Sequence, residues 1–282
     1  MKEDCSKESN MFGLPAHYRP RQGSALWRSP LHNWEERLVE AIERAPARTS
    51  KVFFRADDVG AGSRAFEALC RLFQHHNVPL AMSVVPAWLS LARQRQLFEC
   101  APLEEPLWGW HQHGWRHVNW QRSGKKAEFG DHRPFEKQWR DIWQGRQKML
   151  SVFQEHFIPV FTPPWNRLSA YTIKILQQLD FRAVSVTKPL PKGQNAGVGL
   201  KNLRVQVDLH TRKGKDRELD FQSLLEELMT ALGRKEPSGI VIHHQRMTPF
   251  AFRFLDKLLH LLEDHRQVAF LSLREMFEEE DE

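Results

Sequence analysis

Apolar positions along the chain follow two different periods. Short runs of β-branched and aromatic residues predict strands buried on both faces, and the longer segments between them repeat apolar residues every three to four positions, as amphipathic helices do. The predicted strands are 51–56, 80–85, 107–110, 159–162, 182–186, 203–209, 239–243 and 268–271. The predicted helices are 34–42, 63–76, 135–153, 169–179, 220–232 and one that begins at 248–249. This alternation predicts an α/β fold of repeated β-α units around a parallel sheet.

The number of predicted strands indicates how the sheet is arranged. Eight strands over about 220 residues favour a closed or nearly closed (β/α) barrel, although an open doubly wound sheet would give much the same order of elements. Residues 1–48 contain four prolines and one predicted helix, which indicates an N-terminal arm rather than a domain. The predicted organisation is an arm over 1–48, a barrel domain over 49–278 and an acidic tail over 279–282.

The composition is that of a globular protein. With 41% hydrophobic and 27% charged residues among 282, the chain can form a core and is not expected to be disordered. No stretch of about 18 apolar residues predicts a membrane span, and the first ten residues lack the apolar segment of a secretory signal. The three cysteines have no CxxC spacing, which argues against a disulfide framework and a thiolate zinc site. These features predict a cytoplasmic protein.

The net charge of +6 comes from 41 basic and 35 acidic residues. The densest basic stretches are 122–126 and 212–217, and neither carries the interleaved aromatic side chains on which nucleic-acid bases stack. We interpret both stretches as solvated loops and do not expect a nucleic-acid partner. A steep salt dependence of binding would reveal such a partner.

Polar residues follow four of the predicted strands directly. Asp57-Asp58 ends the first strand and HQHGWRH at 111–117 follows the third. TPPWNR at 162–167 ends the fourth strand, and the pair at 243–244 ends the seventh. In parallel α/β folds the carboxyl ends of the strands converge on the ligand site. We therefore expect these four segments to lie together in one functional site.

Two of these segments have the chemistry of a metal site. His113 and His117 are four residues apart, so a helical turn would place both imidazoles on one side, where they could bind one divalent ion. Asp57 and Asp58 are costly to bury together unless a cation neutralises one of them. Each pattern also has a structural explanation, because 14 histidines produce such pairs by chance and Asp is a favoured N-cap for a helix starting near Ser63.

The last strand end and the nearby tryptophans offer further candidates. Strand alternation directs His243 and His244 to opposite faces, so at most one is expected to enter a site, as a general acid, while the other has a structural role. Trp115, Trp120 and Trp165 lie in the proposed site loops, where they either pack against the protein or stack on a sugar ring.

Together, the four segments resemble the motifs of a known superfamily. RADDVG at 55–60, HGWRH at 113–117, TPPWN at 162–166 and IVIHH at 240–244 are similar to the motifs of polysaccharide deacetylases, the NodB-homology or carbohydrate esterase 4 superfamily. The resemblance implies a distorted parallel barrel of seven or eight strands. It also implies a metal-dependent hydrolase that uses an activated water to remove an N-acetyl or similar acyl group from an amino-sugar substrate. The expected partner is an acetylated sugar or glycan precursor.

The resemblance implies a role for each polar strand end. Asp57 would be the general base, and Asp58, His113 and His117 would bind one divalent ion, for which zinc is the expected metal. The catalytic acid would be His243, which is favoured, or its neighbour at position 244. The expected substrate contacts are Trp115, Trp165, Arg167 and Asp208.

The sequence departs from the superfamily pattern at several positions. Val59 is inserted before the glycine of the first motif, and Gly114 stands where Ser or Thr is usual. Thr162 replaces the arginine that normally orients the base, for which Arg167 or Arg55 could substitute. These departures leave two alternatives open: a non-catalytic glycan-binding or regulatory protein on the same barrel, and a metal-dependent hydrolase of another non-peptide C–N bond.

Overall fold

The computed structural model describes residues 13–14, 18–20, 22–46, 49–190, 199–264 and 268–278, so the predicted acidic tail at 279–282 lies outside the described residues. Its strands are β1 (Ser50–Val59), β2 (Leu80–Val84), β3 (Trp108–His113), β4 (Phe157–Thr162), β5 (Ala183–Val184), β6 (Lys201–Asn202), β7 (Val205–Asp208), β8 (Ser238–Ile242) and β9 (Val268–Phe270). Its helices are α1 (Trp34–Glu43), α2 (Arg64–His75), α3 (Leu91–Cys100), α4 (Phe135–Phe153), α5 (Ala170–Gln178), α6 (Arg217–Leu232), α7 (Pro249–Asp264) and α8 (Glu275–Glu278). The alternation confirms the predicted α/β fold.

The strands form one parallel sheet in the order β6-β5-β4-β3-β2-β1-β8-β7, and β9 pairs with the start of β1. The two edge strands, β6 and β7, belong to one extended segment. Within it, the N–H of Val205 donates to the carbonyl of Val186 after β5, while the carbonyl of Arg204 accepts from the N–H of Gly239 in β8. This segment therefore joins β5 to β8 and closes the curled sheet into a distorted barrel, as predicted.

Alternation along β1 separates two packing layers. Val52, Phe54 and Ala56 belong to the large core between the sheet and the helices. Phe53 belongs to a second cluster, which contains inward residues of neighbouring strands and the C-terminal side chains Leu271, Leu273 and Met276. Val52, Phe54 and Ala56 point out of the barrel toward the helices, so the alternating side chains at 53, 55 and 57 point into the barrel, with 55 and 57 nearer the carboxyl end of β1. The barrel interior is thus apolar at one end and polar at the other.

The structure differs from the predicted elements at three polar segments, whose sequences do not show the apolar period of a strand or a helix. The prediction ended β3 at Trp110, but the strand continues through His111, Gln112 and His113, all of which are buried. The prediction also missed β6, a strand of two polar residues, and α3, in which only Leu97 is buried. In each case tertiary contacts outweigh the local pattern.

The described part of the predicted N-terminal arm packs on the barrel. Trp27 is buried and its Nε1 donates to the carbonyl of Leu209 at 2.7 Å. Helix α1 packs against α6 and α7. Among the described residues, no helix combines the length and the apolar character needed to cross a membrane.

A histidine at the end of α2 joins this helix to α7. Nε2 of His76 lies 2.9 Å from Asp256 and its Nδ1 lies 2.9 Å from Glu263. Because both partners are carboxylates, both ring nitrogens must carry hydrogen, which requires the imidazolium form. Burial lowers the pKa of His76, but the two carboxylates outweigh this effect and raise it above its usual value.

We therefore expect part of the folding stability to depend on the protonation of His76. Since its pKa is higher in the folded than in the unfolded chain, this contribution is complete below about pH 6.5, the usual value for histidine, and is lost as the pH rises through the folded pKa. Denaturant unfolding of the wild type and of His76→Gln should differ by about 1 kcal/mol at low pH and converge at high pH. A difference that does not change with pH would contradict the imidazolium assignment.

Candidate active site

A bulge at the end of β1 brings two aspartates to the mouth of the barrel. The pairing of β1 with β2 is regular up to Ala56 and resumes at Val59, so Asp57 and Asp58 form the irregularity. Asp58 has a φ of 60°, a conformation that is uncommon for a residue other than glycine. Both carboxylates line the same cleft, whose volume is about 560 Å³.

Asp58 lies against two histidines, of which His113 ends β3 and His117 follows it. Its Oδ1 is 3.3 Å from Nε2 of His113 and 3.1 Å from Nε2 of His117, and one ligand atom from each residue lies within 4.8 Å of the others. Metal–ligand distances of about 2.0–2.2 Å place the ligands of a tetrahedral zinc about 3.3 Å apart. Asp58 Oδ1 is buried without a hydrogen-bond partner in the described structure, which a cation would supply. The donor set therefore fits one divalent ion.

Hydrogen bonds orient the histidine rings for such a role. Nδ1 of His113 lies 2.9 Å from the carbonyl oxygen of Thr162, which can only accept, so Nδ1 carries a hydrogen and Nε2 is the atom that faces Asp58. Burial lowers the pKa of His113, but the carboxylates of Asp58 and Asp57 outweigh it and raise the pKa, whereas a bound cation would require the neutral ring. Burial and the neighbouring His113 lower the pKa of His117 to about 4, which leaves this imidazole neutral near pH 7. A neutral ring is the form that binds a metal.

The loop between the two histidines is not the helical turn predicted from their spacing. Residues 114–117 form a bend in which Gly114 and His117 have positive φ values. The fully buried carboxylate of Glu128 holds this bend by accepting the N–H groups of Trp115, Arg116 and His117 at 3.3, 2.8 and 3.2 Å. The four-residue spacing thus brings the rings together because of Glu128 and not because of a helix.

Glu128 also explains the glycine in the second motif. A Cβ added at Gly114 would lie 2.4 Å from Glu128 Oε2 and 2.7 Å from Cγ and Cδ of Pro164, and φ at this position is 56°. The serine or threonine expected from the superfamily cannot fit unless Glu128 moves. The glycine at position 114, where Ser or Thr is usual, therefore makes room for the buried carboxylate of Glu128.

We expect Gly114→Ser to destabilise the protein more than a positive φ alone would. The matched control is Gly124→Ser, because Gly124 has a φ of 76° and no atom within 4 Å of an added Cβ. The control should lose about 1–2 kcal/mol, the usual cost of a left-handed residue, and Gly114→Ser should lose about 1–3 kcal/mol more through overpacking. Equal losses of unfolding free energy in denaturant titrations would contradict the contact with Glu128.

A buried arginine holds the other aspartate. Nε and Nη2 of Arg55 donate to Oδ1 and Oδ2 of Asp57 at 2.7 and 2.8 Å, and Nη1 donates to the hydroxyl and carbonyl of Ser185. Both charged side chains are almost inaccessible to solvent. The two residues lie on the same face of β1 because they are two positions apart. Of the two arginines considered as substitutes for the one missing at Thr162, Arg55 is therefore the one that contacts Asp57.

Charges in the site keep both aspartates ionised. Burial raises the pKa of Asp57, but the Arg55 guanidinium and the nearby histidines outweigh it, so that the pKa lies below its usual value. For Asp58 the same penalty of burial is outweighed by His113 and His117, which lower its pKa strongly. Asp57 is thus available as a proton acceptor at neutral pH.

His243 stands across the cleft from Asp57. Its Nε2 lies 4.0 Å from Asp57 Oδ2 and its Nδ1 lies 3.9 Å from Asp208 Oδ1, so the ring is placed between two carboxylates. Asp208 Oδ1 also accepts the N–H groups of His210 and Thr211, which fixes the turn after β7. Asp208 therefore lines the cleft, but its carboxylate already accepts hydrogen bonds from the protein itself.

Two predicted site residues do not line the cleft. His244 is buried and its ring packs edge-on against Phe66 of α2, with centroids 5.3 Å apart. Trp115 packs against the main core, and its carbonyl accepts the N–H of Ala87. As strand alternation predicts, only one of the two adjacent histidines, His243, enters the cleft. Trp115 packs against the protein, which is one of the two roles that the sequence left open.

The other two predicted substrate contacts do line the cleft. The ring of Trp165 lies 4.5 Å from that of His117, and Trp165 has a φ of 58°. An aromatic residue in this conformation is strained and persists only where its surroundings impose it. Arg167 donates from Nη1 to the carbonyl of Lys126 at 2.6 Å, which attaches the loop over 124–126 to the edge of the cleft.

Sequence reasoning did not identify Glu128, the carbonyl of Thr162 or Ser185 as part of the site. Backbone carbonyls and buried carboxylates that support a loop have no sequence signature of their own. Arg55 was named only as one of two substitutes, although its spacing of two from Asp57 on a buried strand was a usable signal. Neither aspartate caps α2, since Ser63 accepts the N–H of Phe66.

The fold is similar to those of several solved proteins. A probable polysaccharide deacetylase from Pseudomonas aeruginosa PAO1 aligns with a TM-score of 0.58 at 13% identity, covering 91% of this chain and 96% of that one. Puue allantoinase aligns with a TM-score of 0.57 at 12% identity, covering 92% and 96%. A putative polysaccharide deacetylase from Mycobacterium smegmatis aligns with a TM-score of 0.56 at 15% identity, covering 83% and 91%.

No family model and no curated protein matches the sequence. At identities of this size the structural likeness concerns the fold. The chain therefore shares its fold with solved proteins described as putative and probable polysaccharide deacetylases, which confirms the predicted fold.

Proposed function

We propose that the protein is a metal-dependent hydrolase that removes an N-acetyl or similar acyl group from an amino-sugar substrate. The observation that carries the proposal is the group of Asp58, His113 and His117, with the ionised carboxylate of Asp57 beside it in one cleft. Three protein ligands that leave open coordination positions are the usual arrangement in catalytic zinc sites. The shared fold with two deacetylases supports the same reaction class.

A divalent ion held by these three residues would supply Lewis acidity, which activates water and polarises a carbonyl. The chain itself would move the protons. Asp57 accepts a proton from the water whose oxygen attacks the acyl carbon, while Arg55 holds the carboxylate in place. When the C–N bond breaks, His243 donates a proton to the departing amine. The products are a carboxylic acid and a free amine.

The position of His243 suits this role. Its ring faces Asp57 on one side and Asp208 on the other, with Nε2 and Nδ1 at 4.0 and 3.9 Å from the nearest carboxylate oxygens. The reacting amide would lie over the two side chains, within reach of both Asp57 and His243. Trp165 stands beside His117 at the same cleft and offers an aromatic face for a sugar ring.

The non-catalytic alternative was favoured by the missing arginine of the third motif. Arg55 now supplies a guanidinium to Asp57 from β1, which removes that argument. The second candidate, hydrolysis of another non-peptide C–N bond, is favoured by the likeness to an allantoinase over 92% of the chain. The two candidates share the ligand set and differ in the substrate.

The test is the metal content of the purified, untagged protein by elemental analysis, together with acetate release from N-acetylated sugars. We expect about one equivalent of a divalent ion, lost in both Asp58→Ala and His113→Ala, and metal-dependent release of acetate. His260→Ala is the matched control, because His260 is exposed on α7.

Three outcomes separate the candidates. Metal loss in the two ligand variants with acetate release in the wild type supports the deacetylase. Metal binding with turnover of allantoin and none of acetylated sugars favours the second candidate. No metal after reconstitution, or equal metal in all variants, would contradict the ligand assignment itself.

A further inference from the structure

Positive charge surrounds the candidate catalytic cleft. The cleft is lined by three aspartates and six basic side chains, which are Lys125, Lys126, Arg167, Arg212, Lys213 and Arg246. The chain as a whole has a net charge of only +6, from 41 basic and 35 acidic residues. Six basic against three acidic side chains make the local balance of charge positive where a substrate would enter.

The fold places these charges on both walls of the cleft. Lys125 and Lys126 belong to the loop after β3, whereas Arg212 and Lys213 follow β7. In the sheet β3 and β7 lie on opposite sides of β1, which carries the two aspartates. Both basic stretches were interpreted as solvated loops from the sequence. The barrel brings them to face each other across the site.

The aspartates of the cleft do not neutralise this charge. Asp57 is paired with Arg55, and Asp58 lies against His113 and His117. Asp208 accepts hydrogen bonds from the turn that follows it. Asp57 thus has a guanidinium partner and Asp58 two imidazoles, whereas Asp208 is held by neutral N–H groups of its own turn.

Most of the basic side chains have no carboxylate partner in the described structure. Lys125, Lys126 and Lys213 are exposed, and no ion pair with any of them occurs among the described residues. Arg167 and Arg246 are half-buried, and among the described residues they donate only to neutral oxygens, of Lys126 and Gln22 respectively. Arg212 differs, because it pairs with Glu227. The half-buried guanidinium groups present the planar donor geometry that binds phosphate or carboxylate.

We propose that the substrate of this site is anionic, an acylated amino sugar that carries a phosphate or carboxylate group held by the basic walls of the cleft. This inference rests on the proposed deacetylase function and names its substrate class. The anion would compensate charges that the protein leaves unpaired, and the positive field would increase the rate of encounter with the substrate. A neutral polymer would make no use of those charges.

The experiment compares amino sugars with and without an acidic group. Binding to the metal-loaded protein is measured by calorimetry with the deacetylated sugars glucosamine, glucosamine 1-phosphate and muramic acid, which contain no acetyl group to be released. Acetate release is measured with their N-acetylated forms. We expect the phosphate or the carboxylate sugar to bind about tenfold or more tightly than glucosamine, with a difference that shrinks as salt is raised. The two anionic sugars distinguish phosphate from carboxylate as the recognised group.

A charge-reversal pair tests whether the cleft is responsible. Lys126→Glu/Lys213→Glu should remove about tenfold or more of the preference for the anionic sugar. The control is Arg95→Glu/Lys235→Glu, which changes the net charge equally at exposed positions on α3 and before the start of β8. Preference retained in the control and lost in the cleft variant supports the proposal. Equal losses in both would overturn it.

The remaining outcomes separate this proposal from the function on which it rests. Acetate release from neutral and anionic sugars with equal kcat/KM would refute the anionic substrate and leave the deacetylase standing. Charge-selective binding with no acetate released from any sugar would support the anion site and contradict the deacetylase. Tighter binding of a single-stranded oligonucleotide than of either anionic sugar, lost in the cleft variant, would overturn the sugar assignment in favour of nucleic acid.

Discussion

Asp57→Asn is expected to lower kcat about 10³-fold while the protein keeps its full metal content. Asparagine has nearly the shape of aspartate, and its amide oxygen can still accept from Arg55, but it cannot take a proton from water. The three residues proposed to bind the ion are unchanged. Acetate release and elemental analysis on the same preparations measure the two quantities.

The matched control is Asp180→Asn, the same substitution at an exposed position after α5. It should change neither metal content nor turnover. If Asp57→Asn retains the turnover of the wild type, Asp57 is not the base. If it loses the metal as well, Asp57 contributes to the ion site and not only to proton transfer.

Arg55→Met is expected to cost about 3–5 kcal/mol of folding stability and to reduce turnover as well. Arg55 is fully buried and shares two short hydrogen bonds with Asp57, so its removal leaves an ionised carboxylate inside the barrel without a partner. Burial is then opposed only by the nearby histidines, so the pKa of Asp57 rises. Arg55→Lys should recover only part of both losses, because a lysine keeps the charge but lacks the planar fork.

A double-mutant cycle measures the interaction energy between Arg55 and Asp57. Arg55→Met/Asp57→Asn removes both charges together, so its free energy of unfolding should be higher than the sum of the two single effects predicts. Unfolding in denaturant measures all four proteins. Additive losses would show that the two side chains do not interact, and would leave Asp57 without a positioning residue.

Most of the candidate catalytic and metal-binding residues that line the cleft could be predicted from the sequence. Parallel strands place their carboxyl ends at one edge of a barrel, so polar residues after β1, β3 and β8 could be expected to meet. Asp57, Asp58, His113 and His243 do line one cleft. Strand periodicity likewise predicted most elements, because buried strands and amphipathic helices impose their own spacing on apolar residues.

What supports those residues was decided only by the tertiary structure. Glu128 lies 11 residues after His117, in a segment with no predicted strand or helix. It nevertheless holds the bend between the two histidines and requires the glycine at 114. The charge of the cleft was equally hidden, since 122–126 and 212–217 look like ordinary solvated loops until the barrel places them on opposite walls. Periodicity and motifs record which side chains are buried and which are reactive. Contacts between segments that lie far apart in the sequence arise from packing, and no local pattern encodes them.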